Sequence, residues 1–148
     1  MCNGRMMHIK LLELNDNLQE YLECIQDLNG YDIELSNVKD VKNILCNRST
    51  NTLTFVGLVN SKIVCAASVF LESKLRYKKK CCHIEDVAVH RAYRKQHYGV
   101  KMLDHCILFA KKMKCYKIKL NCNDSLVYFY EKMKFKKVTC GMEIKIQD

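Results

Sequence analysis

The stretch "TLTFVGLVNSKIVCAASVFL", Thr52 to Leu71, does most to limit what this chain can become. Two apolar runs of strand length are separated by Asn60, Ser61 and Lys62, a hairpin signal. Strands this apolar must be covered, so the rest of the chain has to supply helices for the faces of a sheet. Upstream, "HIKLLEL" (His8 to Leu14) predicts a first strand, followed by turn or N-cap chemistry at Asn15 and Asp16. Leu18, Tyr21, Leu22, Ile25 and Leu28 recur at helical spacing, and that helix is expected to end at Gly30. A second short helix is expected from Ser36 to Cys46, with Val38, Val41 and Ile44 or Leu45 on one face.

Downstream, "LRYKKKCC" reads as a basic connection and "HIEDVAVH" as a strand with a charged pair at its centre. From Gly99 to Lys114 the apolar positions Val100, Leu103, Ile107, Ala110 and Met113 make a helical stripe. "YKIKLNC" alternates as a strand, and "NDSLVYFYEKMK" predicts a short helix with Asn123 or Asp124 as its N-cap. "FKKVTCGMEIKI" reads as a last strand pair or one long strand. The expected order is β, α, α, β, β, β, α, β, α, β. Antiparallel strands followed by βαβ units give an α/β class with one mixed central sheet flanked by helices. At 148 residues the chain fits one domain, residues 1–148.

Composition narrows the function classes. The formal charge of +9 suits nucleic acid, an anionic membrane or a phosphorylated small molecule, and charge alone does not choose among them. Ten cysteines are scattered without a CxxC pair, several inside apolar runs, which reads as buried reduced thiols in a cytoplasmic protein. Paired metal-ligand spacing is missing, so no metal site is expected. The N-terminus lacks the apolar region of a signal peptide, and the run from Ile63 to Leu71 is too short to span a bilayer. "AYRKQHYGVKML" combines a basic turn, Gly99 and an amphipathic run, which suits either a phosphate-holding helix entrance or an ordinary basic turn.

Three stretches settle between those readings: "HIEDVAVHRAYRKQHYGVKML", "CYKIKLNC" and "VYFYEKMKFKK". They resemble the glucosamine-6-phosphate N-acetyltransferases of the GNAT superfamily, strongly from His83 onward and mainly in element pattern before it. The resemblance implies the GNAT acyl-CoA N-acyltransferase fold. It also implies transfer of an acetyl group from acetyl-CoA to the 2-amino group of D-glucosamine 6-phosphate, on the route to UDP-N-acetylglucosamine. The amine attacks directly within a ternary complex, without a metal, in a homodimer whose active sites draw on both subunits.

By the same resemblance, Val87, Ala88 and Val89 offer backbone groups to the acetyl and pantetheine amides. Arg94, Lys95, Gln96, His97, Tyr98 and Gly99 form the pyrophosphate cradle, with Lys95 and His97 standing where the family often has glycine. Those two side chains either crowd the phosphates or add charge to them. Tyr130 matches the tyrosine that donates to the departing thiolate and also touches the cofactor. Glu85 and Asp86 match the acidic pair at the sugar, and strand alternation lets at most one of them enter the sheet core.

Asn121 stands where the family has an Asp beside the substrate amine, so a carboxylate base is lost there. The proton then passes to Glu85, Asp86 or a water, or the amine arrives already neutral. Lys145 replaces a phosphate-binding Arg, keeping the charge without the bidentate fork. Asn29 falls at a substrate-contacting Thr, and Lys74, Leu75, Arg76 and Tyr77 overlie the remaining sugar-phosphate contacts. Three other readings stay beside this one. They are a GNAT acting on a polyamine or protein lysine, an inactive relative that only binds CoA, and a nucleic-acid module using "RYKKK", "KKMK" and "KFKK". The acidic pair inside "HIEDV" opposes the last.

Overall fold

In the computed structural model, residues 5–28 and 37–146 are described. Five strands form one sheet in the order β1-β2-β3-β4-β5: β1 (His8–Leu11), β2 (Thr52–Val59), β3 (Lys62–Lys74), β4 (Lys79–Val89) and β5 (Lys117–Lys119). The first four are antiparallel to their neighbours and β5 is parallel to β4. Helices α1 (Leu18–Ile25) and α2 (Val38–Asn47) lie between β1 and β2 in the chain. Helix α3 (Tyr98–Lys112) crosses from β4 to β5, and α4 (Val127–Lys132) follows β5.

The central hairpin forms because its reversal is cheap. Val59 pairs with Lys62, leaving a two-residue loop, and both Asn60 and Ser61 have positive φ. That is the turn whose twist matches the flanking strands. Ile63 to Val69 are buried at every position, so β3 is covered on both faces and reads as a continuous apolar run. On one face Leu12, Leu18 and Cys24 pack with Val56, Ile63 and Ala66. On the other, Tyr98, Met102, Leu103, Cys106 and Ala110 of α3 pack on Phe55, Val69, Cys82 and Ile84. Truncating Leu103, which is wholly buried, to Ala would cost about 2–5 kcal/mol. Gly57 is required by close approach, since a Cβ there would meet Met7 Sδ at 2.5 Å and Cys65 Sγ at 2.6 Å.

Several sequence expectations need correcting. The first strand stops at Leu11 and α1 at Ile25, while α2 runs Val38–Asn47 with Asn37 as its N-cap. Ser36 and Gly30 lie outside the described residues. The second half of "LRYKKKCC" is strand, because β4 begins at Lys79, paired with Lys74, and Leu75 to Lys78 turn. Solvent-facing polar residues at that end hid the strand from an apolar pattern. β5 is three residues long, since only Lys117 to Lys119 find a partner, at Cys81 to His83. The expected final strand does not form within the described residues, where 137–146 take no regular structure. Val138, Met142, Ile144 and Ile146 there are more than four-fifths exposed, so their apolar pattern finds no cover among the described residues. Among the described residues no helix is long and apolar enough to cross a membrane.

Candidate active site

Strand β4 carries the site because it bends. Ser68 pairs with Glu85 but Ala66 pairs with Ala88, so β4 holds an extra residue opposite Ala67. Asp86 has φ 52°, the signature of a bulge at a non-glycine residue. The bulge breaks strand alternation, so Glu85 and Asp86 are both exposed and neither enters the core. Although the Asp86 side chain is exposed overall, partial desolvation of its carboxyl by surrounding atoms, and then the Glu85 charge, push its pKa above the ordinary value. Glu85 Oε1 lies 3.5 Å from His83 Nε2.

Beyond the bulge, β4 has no partner on its β5 side among the described residues, because β5 pairs only up to His83. His90 N–H donates to Val64 O at 2.8 Å. By antiparallel alternation Val89, one residue earlier, directs its own N–H and C=O away from β3 into the open gap. Val87 shares that direction, while the backbone of Ala88 is turned to Ala66. The gap opens into a cavity of about 660 Å³, lined mainly by apolar groups.

The loop after β4 lines this cavity. Lys95 has φ 61° and His97 φ 62°, whereas Gln96 and Tyr98 are not in the left-handed region. Such alternation in hand turns successive N–H groups toward one concavity, which binds anions. His97 is also the N-cap of α3, so the helix begins at Tyr98 with its unpaired N–H groups and positive dipole end at the same place. Gly99 has neither a positive φ nor a crowded Cβ position, since an added Cβ would sit 3.5 Å from Val89 Cγ2. What its missing side chain spares is cavity space.

Tyr130 also lines the cavity. It lies in α4, only 8% exposed, and burial raises its phenol pKa above the ordinary value, so the hydroxyl stays protonated across the neutral range. A helix stop fixes it. Lys134 (φ 70°) donates to Glu131 O at 2.9 Å and Phe135 N–H donates to Tyr130 O at 3.1 Å, the double bond pattern of a Schellman turn. That turn lays the Phe135 ring 5.9 Å from the Tyr130 ring, and Phe129 stands 5.1 Å from it on another side.

The cavity therefore gathers Val87, Ala88, Val89, Arg94, Lys95, His97, Tyr98, Gly99 and Tyr130. Gln96 lines a smaller cavity of about 430 Å³ with Arg5, Lys62 and His90. Asn121 is exposed in the loop after β5, and Lys145 is exposed in the unpaired C-terminal segment. Lys74, Leu75, Arg76 and Tyr77 sit at the tip of the β3–β4 hairpin. Asn29 lies outside the described residues. Sequence reasoning missed Cys24, Asp27, Tyr93, Leu126 and Phe129, which also line the main cavity. Asp27 lies two residues beyond α1, which ends short of the expected Gly30, so nothing in the sequence singled it out.

Residues 14–135 match the Acetyltransferase (GNAT) family. The chain belongs to that family. Over 136 residues, 90% of this chain and 87% of the relative, it is 31% identical to glucosamine 6-phosphate N-acetyltransferase 1 of Dictyostelium discoideum. Against the glucosamine 6-phosphate N-acetyltransferase of Schizosaccharomyces pombe it is 38% identical over 89 residues, 60% of this chain and 78% of that one. The crystal structure of glucosamine-6-phosphate N-acetyltransferase from Arabidopsis thaliana superposes with a TM-score of 0.83 at 25% identity, covering 96% of this chain and 99% of that chain. In a member of this family, an open strand beside a cavity and an anion-binding helix entrance fit acetyl-CoA as co-substrate.

Proposed function

We propose that the chain is one N-acetyltransferase domain that acetylates the 2-amino group of D-glucosamine 6-phosphate. The product would enter UDP-N-acetylglucosamine synthesis. The observation that carries this reading is the bulged β4. It turns the Val87 and Val89 backbones into an apolar cavity between an anion-binding turn and a protonated tyrosine, and sets two carboxylates just before it. The named relatives support the sugar phosphate as acceptor.

Acetyl-CoA supplies the acetyl group as a thioester. Val87 and Val89 hold its amides, and the turn from Arg94 to Gly99 with the α3 terminus takes its pyrophosphate. The Tyr130 hydroxyl donates a proton or hydrogen bond toward the leaving sulfur, a task for one phenol. Asp86 accepts the proton from the sugar amine. Its raised pKa makes it a stronger base than an ordinary aspartate, which answers the loss of a carboxylate at Asn121.

The hairpin tip belongs to a neighbouring subunit's site. Lys79 is six residues from Glu85, so Lys74 to Tyr77 stand about 20 Å from the acidic pair of their own chain. A homodimer places them, and Lys145, on the partner's sugar phosphate. The uncovered apolar residues Met142, Ile144 and Ile146 supply a surface for that assembly. Buried thiols at Cys24, Cys65, Cys81, Cys82 and Cys106 suit the reducing cytoplasm. The basic runs that suggested nucleic acid fall on a hairpin tip and at two helix ends, where Lys111, Lys112 and Lys132 complement the dipoles.

The test is product formation by mass spectrometry from acetyl-CoA with glucosamine 6-phosphate, glucosamine, spermidine or a lysine peptide. Glucosamine 6-phosphate should far exceed the others, and Tyr130→Phe should lower kcat by about a hundredfold. Acetylation of spermidine or lysine in preference would sink the assignment.

A further inference from the structure

The cavity assigned to acetyl-CoA contains a carboxylate, which is the wrong charge for an anionic ligand. Asp27, directly after α1, accepts from Arg91 Nη2 at 2.7 Å through Oδ1 and from Arg94 Nη2 at 2.9 Å through Oδ2. The Arg94 Nε donates to Val89 O at 3.1 Å. That carbonyl faces the gap between β4 and β5, so the guanidinium is folded back over the groove. It holds a backbone acceptor that a pantetheine amide would need. Asp27, Val89 and Arg94 all line the same cavity. Helix stability does not account for Asp27, since a carboxylate at a helix C-terminus opposes the dipole.

We infer that Asp27 sets the affinity for CoA by holding Arg94 as a stand-in for the pyrophosphate. CoA must take the guanidinium from Asp27 and release the Val89 carbonyl before the groove is open along its length. The cost falls on binding, and the charge of Asp27 then stays near the bound phosphates. The same contact ties α1 to the loop between β4 and α3. This inference rests on the acetyl-CoA reading of the cavity.

Asp27→Asn keeps the shape and removes the charge. CoA titrated by calorimetry into this variant should bind about tenfold more tightly than into the wild type at low salt. The gain should shrink as salt rises, because it comes from charge. Asp104→Asn, an exposed change on α3, alters net charge equally and should leave the dissociation constant within about twofold. Thermal melting separates this from a merely structural role. Unliganded Asp27→Asn should melt no higher than wild type yet gain more from CoA. Equal or weaker CoA binding by Asp27→Asn overturns the inference, as does an equal gain in Asp104→Asn. CoA binding to none of the three proteins would overturn the cavity assignment itself, and the inference with it.

Discussion

Replacing Lys95 and His97 together by glycine should move stability and cofactor affinity in opposite directions. Both residues hold φ near +60° in the cradle. A left-handed conformation costs an L-residue roughly 1–2 kcal/mol, and histidine is among the types that tolerate it better. Glycine removes that strain but brings about 0.5–1 kcal/mol of extra chain entropy to lose on folding. The net gain is about 0.5 kcal/mol per site, or about 1 kcal/mol for the pair. For a chain of 148 residues that is a rise in melting temperature of about 3 °C. Meanwhile the lysine charge is lost beside the phosphates, and CoA should bind roughly fivefold more weakly at low salt, the difference fading as salt is added. Calorimetric melting and CoA titration read the two effects. Lys95→Ala, which keeps a Cβ, should lose affinity without gaining stability. A fall in melting temperature for the glycine pair would refute the strain argument. Tighter CoA binding would show that the side chains crowd the phosphates.

Three further outcomes follow from the same geometry. Gly99→Ala should leave the melting temperature unchanged or higher, because its Cβ meets only ordinary contacts, yet weaken CoA about tenfold by filling cavity space. Asp86→Asn should raise the melting temperature at neutral pH. A carboxyl whose pKa is raised by folding destabilises the fold once ionised, so the difference should vanish as pH falls below the unfolded value of 3.8, and kcat should fall throughout. Mixing Tyr130→Phe with Arg76→Gln, each nearly inactive alone, should restore activity in hybrids that pair one intact sugar-phosphate site with one intact tyrosine; no restoration would place Arg76 outside the shared site.

What could be read from the sequence followed where burial was complete. The β2–β3 hairpin and the α3 stripe announce themselves because nearly every inward position is apolar. The far ends of β3 and β4 did not, since Glu72, Lys74, Lys79 and Lys80 pair through backbone while their side chains meet solvent. The bulge at Asp86 left only a contradiction, two acids in sequence along a strand, and the extra residue resolves it by exposing both. Asp27 could not be placed from sequence, because its role depends on meeting arginines 64 and 67 positions later. The C-terminal alternation was visible and correctly apolar, but within the described residues that segment pairs with no strand.

The missing glycines of the cradle carry little weight against it. The whole chain has five glycines. Of its eight described non-glycine residues with positive φ, Asn60, Ser61 and Lys78 sit in hairpin turns, and Lys114 and Lys134 end α3 and α4. Lys114 closes α3 with the same pair of bonds as Lys134, Lys114 N to Lys111 O and Cys115 N to Ala110 O, both 3.0 Å. Glycine is the usual residue at such helix stops, so lysine replaces it where no ligand is in question. The remaining three, Asp86, Lys95 and His97, are the strand bulge and the anion turn. Here the backbone has the alternating hand that turns N–H groups toward one concavity, with a lysine and a histidine at the left-handed positions. Non-glycine residues take positive φ throughout this glycine-poor chain, so the missing glycines do not argue against the proposed anion turn.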